Sequence, residues 1–380
     1  MEVFDAPAPY YPSEALSLDE LAYWIAFSRV IGIGPVYFRR LLDFFQEEIM
    51  LAWKADSREL ARAGLGQKLI ESFLKQRAAI EPLHELELLE RRRIRVITWK
   101  DATYPPALRK TPSAPFVLYT CGVLSREDQF ALAIVGTRRM SAYGRLVTER
   151  FANDLAQGGV TIVSGLALGV DTVAHTAALD AGGRTLAVLA SGLDILYPES
   201  NRGLARRIVE SGQGALVSEF PLGVAPDSRN FPARNRIIAG LSLGVLVTEA
   251  PEQSGALITA NFALEQGRDV FAVPGNMFAR GSNGVNKLIQ EGATLVTSVQ
   301  DVLEALNLFT IPQCVELQEV LPDNDEERIL LTLLSHEPRH VDDLIRKAEL
   351  PTMTVTATLM TMELKGMIKQ VGGMQFVLAR

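Results

Sequence analysis

A chain of 380 residues, 48% hydrophobic and 22% charged, is long enough for two or three domains with real cores and too apolar for a disordered chain. Its formal charge of −7, from 45 acidic and 38 basic side chains, speaks against a nucleic-acid partner unless the cations are clustered. Two cysteines, Cys121 and Cys314, and four histidines, His84, His175, His336 and His340, are too scattered for a zinc or other metal site, and no apolar run approaches the ~18 residues of a membrane span.

Residues 1–12 are rich in Pro and Tyr without a period, and read as a mobile arm. Acidic Glu2 and Asp5 and the lack of an apolar run give no signal peptide, so a cytoplasmic protein is expected. From Leu16 to Arg93 the apolar spacing is helical, broken at Ile31-Gly-Ile-Gly-Pro35, and residues 1–100 read as a helical domain. The break is either a plain helical turn or a helix-hairpin-helix whose Gly32 and Gly34 amides contact DNA phosphate. After Arg91-Arg-Arg-Ile-Arg-Val-Ile-Thr98, read as a basic boundary and a strand, Tyr104-Pro-Pro106, Pro112 and Pro115 form an extended connector.

Over 101–306, strand-like runs alternate with helical ones. The strands are Leu132 to Val135, Val160 to Ser164, Thr185 to Leu189, Ala215 to Ser218, Gly244 to Thr248, Val270 to Val273 and Thr294 to Val296. Near-continuous apolar strands with helices between them mark a buried parallel sheet, here an α/β Rossmann-like domain. Residues 307–325 are a polar, Pro-containing linker, and 326–380 show three helical patterns and a Gly372-Gly373 hairpin, the order of a winged helix. From Asp323 onward nine acidic and seven basic residues are unlike a DNA reader, so a protein-binding or regulatory module is expected.

Leu132-Ala-Ile-Val-Gly-Thr-Arg-Arg139 ends a strand in two arginines, where an open parallel sheet binds ligands and a helix start attracts anions. Between Leu132 and Glu304, 13 of 14 cations are arginine, which suits bidentate phosphate contacts but also follows from GC-rich coding. No GxxxxGK[ST] occurs, the first strand lacks GxGxxG, and the second ends in Ser164-Gly165 instead of a ribose-binding acid, so ATP and NAD are disfavoured and no cofactor is expected. Ser164, Asp171 and His175 have the residue types of a hydrolase triad, but Asp171 also reads as a helix N-cap. Phe231-Pro-Ala-Arg-Asn-Arg236 puts an aromatic, an amide and two arginines at a helix start, the means of binding single-stranded nucleic acid. Core packing of Phe231 with surface ion pairs for Arg234 and Arg236 is the alternative. Ser254-Gly-Ala-Leu-Ile-Thr259 starts another helix and can add Ser254 and Thr259 to the same cleft.

In order, Ala133-Ile-Val-Gly-Thr-Arg138 with Tyr143-Gly144, Val163-Ser-Gly-Leu-Ala167, Gly169-Val-Asp171, Tyr197-Pro198, Phe231 through Gly240, Ser254 through Ala260, and Val273-Pro-Gly275 resemble the DNA processing protein A (DprA/Smf) family. The resemblance is strong over roughly 105–305 and looser outside it. It implies a non-enzymatic homodimer that binds single-stranded DNA in a basic pocket and loads the recombinase RecA during natural transformation. It further implies that Gly136, Thr137 and Arg138 hold phosphate, with Arg139 beside them, that Ser164 and Gly165 line the pocket, and that Phe231, Arg234, Asn235 and Arg236 complete it. Leu168 stands where the family commonly has Lys or Arg. Two other readings remain: a nucleotide-handling enzyme of phosphoribohydrolase type, whose PGGxGTxxE pattern is absent, and DNA binding through the winged helix alone.

Overall fold

The computed structural model describes residues 16–308, 325–334, 339–348, 350–364, 368–370 and 374–378, in two compact units divided after Pro312. The expected N-terminal arm, most of the linker and the Gly372-Gly373 turn lie outside the described residues.

The first unit opens with six helices: α1 (Leu18–Arg29), α2 (Pro35–Phe44), α3 (Ile49–Lys54), α4 (Ser57–Arg62), α5 (Gln67–Arg77) and α6 (Pro82–Arg91). Ser17 and Glu20 form a capping box at α1, and Pro35 at the first turn of α2 fixes the restart after the glycines. The sheet then begins with β1 (Arg95–Thr98), and after the short α7 (Pro106–Arg109) comes β2 (Val117–Gly122). From there strands and helices alternate: β3 (Ala131–Val135), α8 (Ala142–Gln157), β4 (Thr161–Ser164), α9 (Val170–Asp180), β5 (Thr185–Val188), α10 (Arg202–Glu210) and β6 (Gly214–Ser218). The second half continues through α11 (Asn230–Leu241), β7 (Gly244–Val247), α12 (Gly255–Glu265), β8 (Asp269–Ala272), α13 (Asn283–Gln290), β9 (Thr294–Leu295) and α14 (Val299–Ala305).

The strand order is β1-β2-β6-β5-β4-β3-β7-β8-β9, parallel from β6 to β9, with β1 and β2 added antiparallel at one edge. All seven expected parallel strands are present. Alternation along β3 shows why both faces must be covered: Ala131, Ala133 and Val135 pack with α11 and α12, while Leu132 and Ile134 pack with α8 and α9. Strand β2 was not anticipated, and β1 opens the sheet ahead of the boundary expected at residue 100. That boundary is not a gap in the packing. Trp24, Phe27, Phe38 and Phe73 of the helical layer share one core with Phe116, Tyr119 and Leu216, and Phe38 stacks on Phe116 with ring centroids 3.8 Å apart.

The chain runs outward from β3 through β4 and β5 to β6, then returns to place β7 on the other side of β3. The two halves of the sheet therefore diverge between β3 and β7, where the carboxyl ends of an open α/β sheet leave a crevice.

The second unit contains α15 (Asp325–Leu333), β10 (Arg339–His340), α16 (Val341–Ala348), α17 (Thr352–Leu364), β11 (Ile368–Gln370) and β12 (Gln375–Leu378). Its antiparallel sheet has the order β10-β12-β11, and its core gathers Leu330, Leu344, Val355, Leu359, Met362, Ile368 and Phe376. Helices and hairpin strands occur in the order expected for a winged helix.

Candidate nucleic-acid interface

The crevice is a cleft of about 710 Å³ at the ends of β3 and β7, lined by the loop after β3 and the first turns of α11 and α12. Of the sequence-predicted residues it brings together Gly136, Thr137, Arg138, Arg139, Phe231, Arg234, Asn235, Ser254 and Thr259. It also admits Gln253, in the turn before α12, and Arg280, at the start of a short 3-10 helix (Arg280–Ser282), neither of which a motif marked.

The loop after β3 is clamped at both ends. The Thr137 amide donates to Glu249 O at 2.7 Å, and the Val170 amide donates to Thr137 O at 3.2 Å. Ser141 caps α8 by accepting from the Gly144 amide at 3.1 Å, while its own N–H and hydroxyl donate to buried Glu249 at 2.9 and 3.0 Å. Thr137 therefore shapes the cleft with its amide already committed. A Cβ on Gly136 would stand 2.5 Å from Val170 Cγ2 and 2.8 Å from Glu249 O. Gly136→Ala is expected to destabilise the protein by about 1–3 kcal/mol, measured by denaturant unfolding, because backbone on one side cannot yield.

From this clamped loop Arg138 and Arg139 project into solvent. Neither guanidinium has a hydrogen bond or ion pair among the described residues, and Arg138 Cζ lies 5.2 Å from the Phe231 ring centroid. Arg280 is exposed and equally unpaired. On the facing wall Ser254 caps α12, accepting from the Ala256 amide at 3.3 Å, and Asn235 Nδ2 donates to Gly255 O at 3.3 Å. The lining thus holds four arginines against one acid, Asp171, so the cleft is cationic within a chain of net charge −7.

Arg234 has a different task from the other three. It is 4% exposed, and Nη1 donates to Gly165 O at 2.5 Å and also to Val188 O. Burial pulls its pKa down to about 10, with nearby Asp171 opposing the shift and Arg138 adding to it. Asp171 accepts from the Gly165 and Ala167 amides at 3.1 and 3.3 Å, and burial raises its pKa. Its expected role as N-cap is wrong: Gly169, at φ +80°, caps α9, and Asp171 reaches back from inside the helix. Asn201 Nδ2 completes the bracing by donating to Leu166 O at 2.9 Å and Ala167 O at 3.3 Å. The turn from Gly165 to Gly169 is held from beneath by side chains of α9, α11 and the start of α10.

Two further expectations are corrected. Ser164 is fully buried and donates to Ile134 O at 2.7 Å, so it does not line the cleft, while Gly165 joins it only through a side recess. Arg236 faces away: it pairs with Glu219 and donates to Ser113 O at 2.7 Å, a largely buried link from α11 to the connector. Gly32 and Gly34, read as a plain helical turn or a separate DNA-contacting hairpin, stand between α1 and α2, apart from the cleft, where Gln76 binds Ile31 N and O at 2.9 and 3.2 Å.

The triad types do not form a triad. His175 accepts from the Leu166 amide through Nε2 at 3.3 Å and meets Thr185 Oγ1 through Nδ1 at 2.6 Å, so neither nitrogen faces Ser164. Burial, with Arg234 adding, brings the His175 pKa down to about 3. The unfolded imidazole takes its proton near pH ~6.5 and the folded one only near pH 3, so the stability is complete above that range and falls as pH drops through it. Lowering the pH from 7 to 5 is expected to remove about 2 kcal/mol, and His175→Gln should abolish that component in unfolding curves at the two pH values.

A family model described as DNA recombination-mediator protein A matches residues 95–307, and one for the DprA winged helix domain matches 318–374. The chain is 37% identical to protein Smf of Synechocystis over 394 residues, covering 94% of this chain and 98% of that one. It is 42% identical to protein Smf of Escherichia coli over 325 residues, covering 84% and 86%. The solved structure of DNA processing protein A from Streptococcus pneumoniae superposes with a TM-score of 0.66 at 37% identity, over 74% of this chain and 97% of that one. The Helicobacter pylori DNA processing protein A, described for its single-stranded DNA binding mode, gives 0.50 at 30% identity, over 56% and 96%.

Proposed function

The chain belongs to the DNA recombination-mediator protein A family, and from that membership we propose that it binds single-stranded DNA, without sequence preference and without catalytic turnover, in the cleft between β3 and β7. The observation that carries this is the convergence of three guanidiniums unpaired among the described residues, Arg138, Arg139 and Arg280, with half-buried Phe231 at one cleft of an otherwise acidic chain. Guanidiniums neutralise phosphates of any sequence, and an aromatic face accepts any base. The relative from Helicobacter pylori, whose described property is single-stranded DNA binding, supports the same ligand here.

The protein then acts in the cytoplasm as a homodimer that hands the strand to the recombinase RecA in transformation and recombination. That finer role rests on the family alone. The winged helix is assigned to protein binding: α17 carries no Lys or Arg, and a helix without cations cannot neutralise phosphates. The reading is tested by fluorescence anisotropy with single- and double-stranded oligonucleotides at two salt concentrations. Preference for the single strand with affinity falling as salt rises is the expected result, and salt-independent or absent binding rejects it. Release of base from nucleoside monophosphates would show turnover and reject the non-enzymatic part.

A further inference from the structure

The sheet carries a second cavity at the end opposite the cleft, near the amino ends of β3, β5 and β7. It measures about 360 Å³ and lies between the connector at 102–107 and the loop at 124–129 that leads into β3, against Leu186 of β5 and Leu241 at the end of α11. Leu186 and Leu241 are buried, and with Leu124 and Pro106 they give the cavity an apolar interior.

Its charged lining is unbalanced. Asp128 is the one acid among the lining residues, and both its oxygens are taken. Oδ1 accepts from Arg184 Nε at 2.9 Å and Thr161 Oγ1 at 3.0 Å, and Oδ2 from Arg184 Nη2 at 3.0 Å and the Ser125 amide at 2.7 Å, so Arg184 offsets its charge. Arg126 is exposed at the start of the short 3-10 turn Arg126–Gln129 and has no hydrogen bond or ion pair among the described residues. Arg95 donates through Nη2 to Thr103 Oγ1 at 3.3 Å, but its Nε is buried without a hydrogen bond and no acid pairs with it among the described residues. A buried N–H left in that state costs stability that an arriving acceptor restores.

We propose that this cavity is a second binding site, for a small amphipathic anion whose apolar body rests on Leu124, Leu186 and Leu241 while its carboxylate or phosphate meets Arg95 and Arg126. The volume falls within the range of about 300–1,000 Å³ usual for small-molecule sites, and an apolar lining with a few polar groups to fix orientation is their ordinary composition. The ligand is not the DNA strand: no aromatic side chain lines the cavity, so the bases of a polymer would find no stacking partner. The site is separate from the cleft and stands whether or not the cleft binds DNA.

The experiment titrates the full chain with anilinonaphthalene sulfonate, an amphipathic anion that fluoresces when its rings leave water. Saturable binding is expected, weakened about tenfold by Arg126→Ala and further by Arg126→Glu, because one charge-assisted contact is lost and then replaced by repulsion. Arg126 is exposed and unpaired among the described residues, so both variants should keep the parent fold. Arg138→Ala and an added oligothymidylate should leave probe binding unchanged. Displacement by a nucleoside monophosphate marks a phosphate ligand, and displacement by octanoate, at least about tenfold more effective than butanoate, marks a carboxylate one. Absence of saturable binding, equal binding to Arg126→Glu, release of the probe by the oligothymidylate, or displacement by neither competitor overturns the inference and leaves the reading of the cleft untouched.

Discussion

Arg138→Ala is expected to weaken binding to every single-stranded sequence by a similar factor, on the order of ten- to a hundredfold, and to flatten the log-log salt slope by about 0.7. The size follows from the loss of one charge-assisted contact, about 1.5–3 kcal/mol, and the slope from the counterions that one neutralised phosphate no longer releases. The fold should be indifferent. Arg138 is exposed, has no hydrogen bond or ion pair among the described residues, and gives up only its place over Phe231. A surface change of that kind moves stability by no more than about 0.5 kcal/mol. Arg138→Lys keeps the charge without the planar fork, so it should retain the slope with an intermediate affinity. An unchanged slope in a folded Arg138→Ala protein removes this residue from the site.

Arg234→Ala should act on the fold itself. Its guanidinium is buried against Gly165 O and Val188 O and offsets Asp171, so its removal leaves a carboxylate enclosed without a counter-charge, at a cost of about 3–5 kcal/mol. Asp171 already titrates above its usual range through burial, and loss of the arginine pushes it higher. A carboxyl whose folded pKa is raised contributes stability at acid pH that is lost as pH rises past its unfolded value, so the variant should be relatively most stable in acid. Adding Asp171→Asn should recover a large part of the loss, as a double-mutant cycle in denaturant measures. In whatever fraction folds, the salt slope for DNA should match that of the parent protein, because a brace has gone and not a phosphate ligand. A flattened slope would return Arg234 to the set of DNA contacts.

The contrast between these two arginines marks where the sequence can be read. Strands β3 to β8 were legible because each is a short, largely buried apolar run set between helical stretches, and β9, a two-residue exposed edge strand, from the apolar residues around it. Strand β2 was not: Val117–Gly122 follows a Pro-rich connector, and its antiparallel pairing to β1 and β6 has no helical partner pattern to announce it. At the site, Arg138 and Arg139 were legible from the strand end that carries them. On α11, residues advance by about 100° each, so Phe231, Arg234, Asn235 and Ile238 share the cleft face while Arg236 points elsewhere. Helical spacing separates the two α11 arginines, although both were expected in the pocket, and the depth of Arg234 depends on Gly165 and Val188, which arrive from other elements. Gln253 and Arg280 join only because β7 lies beside β3 and β8 beside β7.

The bracing of the Gly165–Gly169 turn also bears on how such a protein can change over generations. Asp171, His175, Asn201 and Arg234 each hold a different backbone group of the turn, so replacing any one of them leaves a buried amide or carbonyl without its partner. The exposed crest is under no such restraint. Leu168 is 47% exposed and is not among the side chains that hold the turn. Replacing the Leu168 side chain therefore leaves those four hydrogen bonds beneath the crest in place.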